Sequence, residues 1–530
     1  MILGDSNPAA ALQAQSRMTL DELIRRTAQR RPDALALIDA PNRRSFTDGA
    51  PRRLTYAEAD RMVSAIAGRL RRMGLTTDAV VGVQLPNIVE NVLTMLGVLR
   101  AGMIVAPLPL LWRRADMIAA LARVGAKALI TCGQVSCGQA GTFNHGQLAL
   151  RAAAEVFSIR YVCGFGKTLA DGIVPFDDLF DAEKLDPVPP LERERQANAA
   201  AHVAAVTFDV GEDGLLPVAR NHSELIAGGL GVVLESRMAP ETVALSTIAP
   251  SSFAGLSLTV LPWLLTGGTL ALHQPFDEEV LGRQRRETRC GTVMLPGPVA
   301  QRLSESGALA RGGPVAVIAA WRSPERLAMS PAWRESEAAL TDVAIFGEAG
   351  LVPARRGAGG RPGAIPVGAV VAPRGSSGGV VVAEVSQTDA GTVALRGAMV
   401  PHHAFPPGVE RSGLPYFKIG RGGLVDSGYT CHVDAAAKTM VVTGPPMGIV
   451  GVGGYRFPLH DLQDVVGRID GTATLAGLPD PLIGQRLVGT AADGETIQAA
   501  LDAVGVNPIV IGAFRARGDR GAAVPAADGR

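Results

Sequence analysis

From residue 54 to residue 131 the chain alternates between two apolar periods, and this alternation constrains its fold more than any other feature. Ala59, Met62, Val63, Ile66 and Leu70 recur at three- and four-residue steps, and so do Val89, Val92, Leu93, Leu96 and Leu99. Short apolar runs lie between and after them: Val80 to Leu85, Ile104 to Leu108 and Ala128 to Thr131. Strands and helices of these lengths in alternation form βα units, whose strands lie parallel under covering helices. The spacing therefore predicts an α/β fold with mostly parallel sheets. Thr19 and Thr55 are suited to cap helices, because a hydroxyl accepts from the free amides of a first turn. Gly74 is suited to end the second of these helices. Asp116 to Val124 reads as a further helix.

The Pro-rich, charged text at 187–197 reads as a surface connection. Val203 to Phe208 reads as a strand and Asp209 to Leu216 as a polar, Gly-containing loop. Asn221 or Ser223 then starts a helix, and βα pieces continue at 243–248, 255–265 and 315–320. From about residue 364 short Val-rich runs alternate with Gly, Ser and Pro, which describes a β-rich region. Residues 440–456, MVVTGPPMGIVGVGGYR, are the candidate hinge. The resulting division is a large N-terminal part, 1–443, with a β-rich subdomain at about 364–443, and a small α/β domain, 444–530.

Composition removes several functional classes. Fifty-one basic residues against 50 acidic ones give a net charge of +1, which offers no electrostatic footprint for nucleic acid. The apolar runs are too short for a membrane span. The N-terminus lacks a basic run followed by an apolar core, so a cytoplasmic location is expected. The five cysteines are scattered without CxxC spacing, and the eight histidines show no HExxH, so neither a disulfide scaffold nor a metal site is expected. GFGKT at 164–168 ends like a phosphate loop but has Tyr161 where that loop needs Gly, and it reads as a surface turn. No GxSxG is present, and Ser251 and Ser252 have no identifiable base.

Three stretches carry a resemblance. The first runs from LTYAEADRMVSAIAGRLRRMGL through VVGVQLPNIVENVLTMLGVLRAGMIVAPL to ALIT, within 54–131. The second is LPWLLTGGTLAL at 261–272 with the HQP and FDEE that follow. The third begins at YFKIGRGGLVDSGY, 416–429, and continues through VGGYRFPLHDLQDVV to TATLAGLPDPLIGQRLVG. Together they resemble, in order, the adenylate-forming superfamily of acyl- and aryl-CoA ligases, luciferases and peptide-synthetase adenylation domains. The resemblance implies a large N-terminal domain and a small mobile C-terminal one. It also implies a two-step reaction, in which a carboxylate attacks the α-phosphate of Mg-ATP and a thiol, often of coenzyme A, then displaces AMP.

Where the family phosphate loop reads TSGTTGxPKG, this chain reads FDVGEDGLLP at 208–217. Gly211 and Gly214 keep a turn, but the hydroxyls are gone, and the family Lys falls on Leu216 or Val218. The match to YGxTE is Phe346, Gly347, Glu348, Ala349 and Gly350, which keeps the ring and displaces the acid by two places. The segment that passes the adenine resembles AAWRSP at 319–324, where Trp321 and Arg322 are large enough to fill the space. TGD becomes Ile419, Gly420 and Arg421, and the hinge Arg becomes Pro445. The family His beside the acyl pocket becomes Phe253. Of 51 basic residues only five are Lys, none after Lys438, so the late PKTxxGK ammonium is missing.

These departures remove hydroxyl and charged ligands of ATP together while Gly, Pro and apolar positions persist. The expectation is a homologue of ATP-dependent acyl or aryl acid:CoA ligases without efficient adenylation, acting as a non-catalytic, regulatory or acyl-binding protein. Its degenerate nucleotide cleft would comprise Gly211, Gly214, Arg220, Trp321, Arg322, Phe346, Gly347 and Arg421, with Phe253 on the acyl side. No catalytic residue and no metal ligand is assigned. The alternative is a divergent AMP-forming synthetase for long-chain or aryl acids, with Arg220, Arg322 and Arg421 as substitute phosphate ligands. Only that alternative requires ATP, Mg and coenzyme A. An acyl or aryl carboxylate ligand, a protein partner and a homo-oligomer are left open; nucleic acid and a membrane span are not expected.

Overall fold

The computed structural model describes residues 18–180, 199–309, 316–333, 338–374 and 378–515. The connection at 187–197, the N-terminal residues before 18 and the final VPAADGR lie outside the described residues. The helices begin where local chemistry directs. Thr55 accepts from the Glu58 amide at 3.3 Å and its own amide donates to Glu58 at 2.7 Å, so helix Tyr56–Arg72 opens on a reciprocal cap. Gly74 follows it at φ +82°, a conformation a side chain resists. Helix Val89–Arg100 is buried along its whole length. Its first amide is capped from afar, by Asp39 Oδ1 at 2.9 Å, and Asn87 instead ties the turn before it to the Ser246 and His273 carbonyls.

Two mostly parallel sheets build the large part. One has eight strands, with Leu340–Phe346, Ala316–Trp321, Thr292–Pro296, Val243–Ser246, Thr269–Leu272 and Leu35–Ile38 parallel in that order and one antiparallel strand at each edge. The other has seven, in the order Gly214–Asn221, Val203–Gly211, Ile104–Pro107, Val80–Val83, Ala128–Cys132, Tyr161–Phe165 and Val174–Pro175. A six-stranded antiparallel sheet from Ile365 to Gly444 forms the β-rich subdomain. The small C-terminal domain is a four-stranded antiparallel sheet covered by helices Leu459–Ile469 and Gly494–Val504. It has a core of its own, including Val450, Phe457, Val466, Leu487, Leu501 and Phe514. Among the described residues no helix is long and apolar enough to cross a membrane.

One expectation is corrected. Asp209 to Leu216 is not a loop. Strand Val203–Gly211 runs on through it and folds back onto Gly214–Asn221, with Asp209 opposite Leu216 and Gly211 opposite Gly214. Only Glu212 and Asp213 remain in the turn. The turn residues themselves keep negative φ, and Gly214 after them takes the left-handed conformation at +87°, as where a type I turn is followed by a bulge glycine. The surface turn at GFGKT is present, and its amides are already engaged. Lys167 and Thr168 amides donate to Asp48 Oδ2 at 2.7 and 3.1 Å, and Gly166 donates to Asp177 at 2.7 Å. Asp48 and Asp177 thus take the anion position of that turn themselves.

Candidate active-site cleft

The cleft lies where the Val203–Gly211 hairpin, the turn after Leu340–Phe346 and the small domain meet. Its organising group is Glu348, a carboxylate with only 5% of the residue exposed. Thr207 Oγ1 donates to Glu348 Oε2 at 2.6 Å, and the Phe253 amide donates to the same oxygen at 3.0 Å. Arg220 Nη1 lies 3.5 Å from that oxygen, while its other donors go to the backbone carbonyls of Glu348, Ala349 and Met399. The Arg220 guanidinium also lies 3.8 Å from the centre of the Phe253 ring, a cation–π contact. Arg220 is 1% exposed, so it is an internal residue and not a solvated one. Burial dominates both charges of the pair. It raises the Glu348 carboxyl above its usual range, against Arg220 and Thr207, and it lowers Arg220 to about 10, against Glu348.

Phe253 and Phe346 are fully buried. The Phe346 ring meets Tyr429 edge-on with centroids 5.7 Å apart. On the far side of Phe253, a Cβ added to Gly228 would lie 2.5 Å from its Cζ, so the ring is held by protein on two sides. Trp321 is buried against Gly297, and its indole nitrogen donates to Asp342 Oδ1 at 2.8 Å. Arg356 closes that group from the other carboxylate oxygen, Oδ2, at 2.7 Å. Arg322 is partly buried and donates to Ser252 Oγ at 3.2 Å. Burial lowers its guanidinium below the usual range.

The small domain docks onto this cleft through several contacts. Arg456, on strand Tyr455–Pro458, pairs with Asp209 on the hairpin. Asp209 Oδ2 also accepts the Glu348 amide at 3.1 Å. Gly347 adopts φ +55°, and a Cβ there would come within 2.4 Å of Arg456 Nη1. Gly454 lies over Arg322, where a Cβ would meet its Cδ at 2.7 Å. The Leu111 amide donates to Tyr455 Oη at 3.1 Å, and Arg326 donates to the carbonyls of Asp480 and Pro481 at 2.7 and 2.9 Å. The hairpin turn lies beneath helix Leu459–Ile469, where a Cβ on Gly214 would be 3.8 Å from Asp461 Oδ2.

The structure thus gathers Gly214, Arg220, Phe253, Arg322, Phe346 and Gly347 around the junction, with Gly211 opposite Gly214 in the hairpin. Trp321 belongs to the Asp342–Arg356 group beside it. Arg421 stands apart, exposed on a short turn and without an ion pair among the described residues. Sequence reasoning passed over Glu348 as a hub and missed Arg456 and Thr207 as its neighbours. The available signal was charge balance: Asp209 ends an apolar strand and Glu348 follows Phe346 and Gly347, and an acid in a buried turn needs a cation.

The comparisons with known proteins agree with this architecture. The profile of the AMP-binding enzyme family matches residues 24–344. A sulfoacetate–CoA ligase of Cupriavidus necator is 22% identical over 488 residues, which span 89% of this chain and 87% of that protein. Long-chain fatty acid transport protein 1 of Bos taurus is 31% identical over 122 residues, 23% of this chain and only 18% of the relative's length. Among solved structures, the amide bond synthetase McbA of Marinactinospora thermotolerans superposes with a TM-score of 0.68 at 18% identity, over 93% of this chain and 94% of that one. Mycobacterium smegmatis MbtA gives 0.63 at 20% identity, over 94% and 90%. With the family profile covering well over half of the chain and the two-lobed architecture shared along its length, the protein belongs to the AMP-binding enzymes.

Proposed function

We propose that this AMP-binding family member does not adenylate carboxylates efficiently and acts as a non-catalytic, regulatory protein. The observation that carries this reading is the internal pairing of the cleft's charges. Asp209 is paired with Arg456, and Glu348 holds Arg220, Thr207 and the Phe253 amide. The pairing commits Arg456 and Arg220 to these acids, so neither cation is free to meet a triphosphate. A phosphate arriving there would meet a like charge, at a cost of about 1 kcal/mol at about 4 Å in water and more in a cleft, for each acid it displaced from its partner. Residues in this arrangement do not fit Mg-ATP. The hairpin turn supplies Glu212 and Asp213 where a phosphate loop offers hydroxyls. Phe253, Val293, Met294 and Leu295 have no exposed surface, which speaks against capture of an acyl chain at this wall.

The ligase alternative draws on Arg322, which has no carboxylate partner among the described residues, and on exposed Arg421. Arg220 adds little to it, because the residue is 1% exposed and its Nε and Nη2 are held by backbone carbonyls, with only the buried Nη1 lacking a hydrogen bond. The two readings separate in a carboxylate-dependent exchange of labelled pyrophosphate into ATP. The expected rate, with long-chain and aryl acids alike, is that of the acid-free control. Acid-dependent exchange above that control contradicts the proposal.

A further inference from the structure

The Asp209 carboxylate is surrounded as a bound anion would be. It receives the Arg456 guanidinium from the small domain, the Glu348 amide at 3.1 Å and the Val210 amide at 2.7 Å. The backbone makes room for this approach at Gly347, whose φ is +55° and whose missing Cβ would otherwise lie 2.8 Å from Asp209 Oδ2. A guanidinium with two amides, shared between the two oxygens of one carboxylate beside a positive-φ glycine, is a donor set that stabilises an oxyanion.

We propose that Asp209 is an intramolecular stand-in for a ligand oxyanion, so that Arg456 and the Glu348 and Val210 amides form a self-occupied phosphate site at the domain junction. The inference rests on the reading of the cleft as internally paired, and it adds that the pairing is autoinhibitory. The carboxylate fills the site and, through Arg456, holds the small domain against the hairpin. Phosphate is favoured over a free carboxylate because it brings more negative charge and a further acceptor oxygen to these donors, whereas Asp209 satisfies them with two oxygens while tethered in place by the chain. The Arg456 guanidinium stays charged in this setting: burial is the largest single influence and opposes its charge, but Asp209, Tyr429 and Glu348 together outweigh it and raise it.

The test uses the full-length chain and inorganic phosphate, followed by calorimetry and thermal unfolding, with acetate as the carboxylate control. Wild-type protein is expected to show no saturable phosphate binding, because Asp209 holds the site. Asp209→Ala is expected to gain phosphate binding that raises its unfolding temperature, with a weaker response to acetate. Adding Arg456→Gln to that variant is expected to weaken phosphate by about tenfold or more, the loss of one charge-assisted contact. Phosphate binding that is the same in wild type and Asp209→Ala overturns the proposal, and so does binding that survives Arg456→Gln unchanged. A stronger response to acetate than to phosphate overturns the choice of ligand. If Asp209→Ala does not fold, Asp209→Ser shortens the side chain and likewise vacates the site, and a folded Ser variant with no phosphate response overturns the proposal. Mg-ATP binding by the wild type sinks the non-catalytic reading, whereas a silent Asp209→Ala sinks only the stand-in.

Discussion

Arg220→Met will destabilise the fold by about 3–5 kcal/mol at neutral pH, the usual cost of stripping one partner from a buried ion pair. The residue is 1% exposed and lies between the Glu348 carboxylate and the Phe253 ring. Met replaces much of its volume, so the loss reports mainly on the stranded charge and on the carbonyls of Glu348, Ala349 and Met399 that lose their donor. The pH dependence has a definite sign. Burial already raises Glu348 in the native protein, and removing Arg220 removes the largest influence that opposes the rise. A carboxyl raised on folding favours the native state at low pH and loses that contribution as pH rises through its folded value. The deficit of Arg220→Met, measured by urea unfolding, should therefore shrink toward acid pH and widen toward neutral pH. Arg220→Met combined with Glu348→Gln should recover a large part of it, because no buried charge is then unpaired. A loss below about 1 kcal/mol, typical of exposed pairs, would place Arg220 at the surface.

Arg43→Ala will produce a loss of similar size, about 3–5 kcal/mol, far from the cleft. Arg43 donates to Asp39 Oδ2 at 2.6 Å and to Glu90 Oε1 at 2.7 Å, and both carboxylates are buried. Arg52 reaches Glu90 Oε1 at 2.8 Å, so Glu90 retains one cation, while Asp39 keeps only amides. Asp39 is pushed up to about 6 by burial and by Glu90, with Arg43 pulling the other way. Its folded value lies above its unfolded one. The associated stability is thus present below pH about 4 and is lost as pH rises through about 6. Without Arg43 the folded value moves higher, so the variant should be closest to wild type at acid pH and weakest near neutral pH. Because Asp39 caps helix Val89–Arg100, hydrogen exchange at the start of that helix should rise in the variant at neutral pH. Protection unchanged from wild type there would contradict the role given to this group.

What the sequence made legible was periodicity. Alternating runs announced the parallel sheets, Thr55 and Gly74 bounded a helix, and Val-rich runs announced the antiparallel sheet from Ile365 to Gly444. What it concealed was pairing over distance. Asp39 capping Val89 is a contact across 50 positions, and no local pattern encodes it. The hairpin at Gly211–Gly214 has the local composition of a loop, three acids and two glycines within six residues, and its strand pairing follows from contacts across the turn. Arg220 was visible as a cation near the loop, but its direction, into the interior toward Glu348, follows from packing against Phe253. Arg456 lies 247 residues from Asp209, and only the docked small domain brings them together.

The central claim is that the cleft's own charges occupy the place of a nucleotide. Calorimetric titration of the folded, full-length protein with Mg-ATP, at concentrations that detect a millimolar dissociation constant, addresses it most directly. The account predicts no saturable heat. One-site binding by the wild type, weakened by Arg322→Gln, would contradict it and restore the ligase reading.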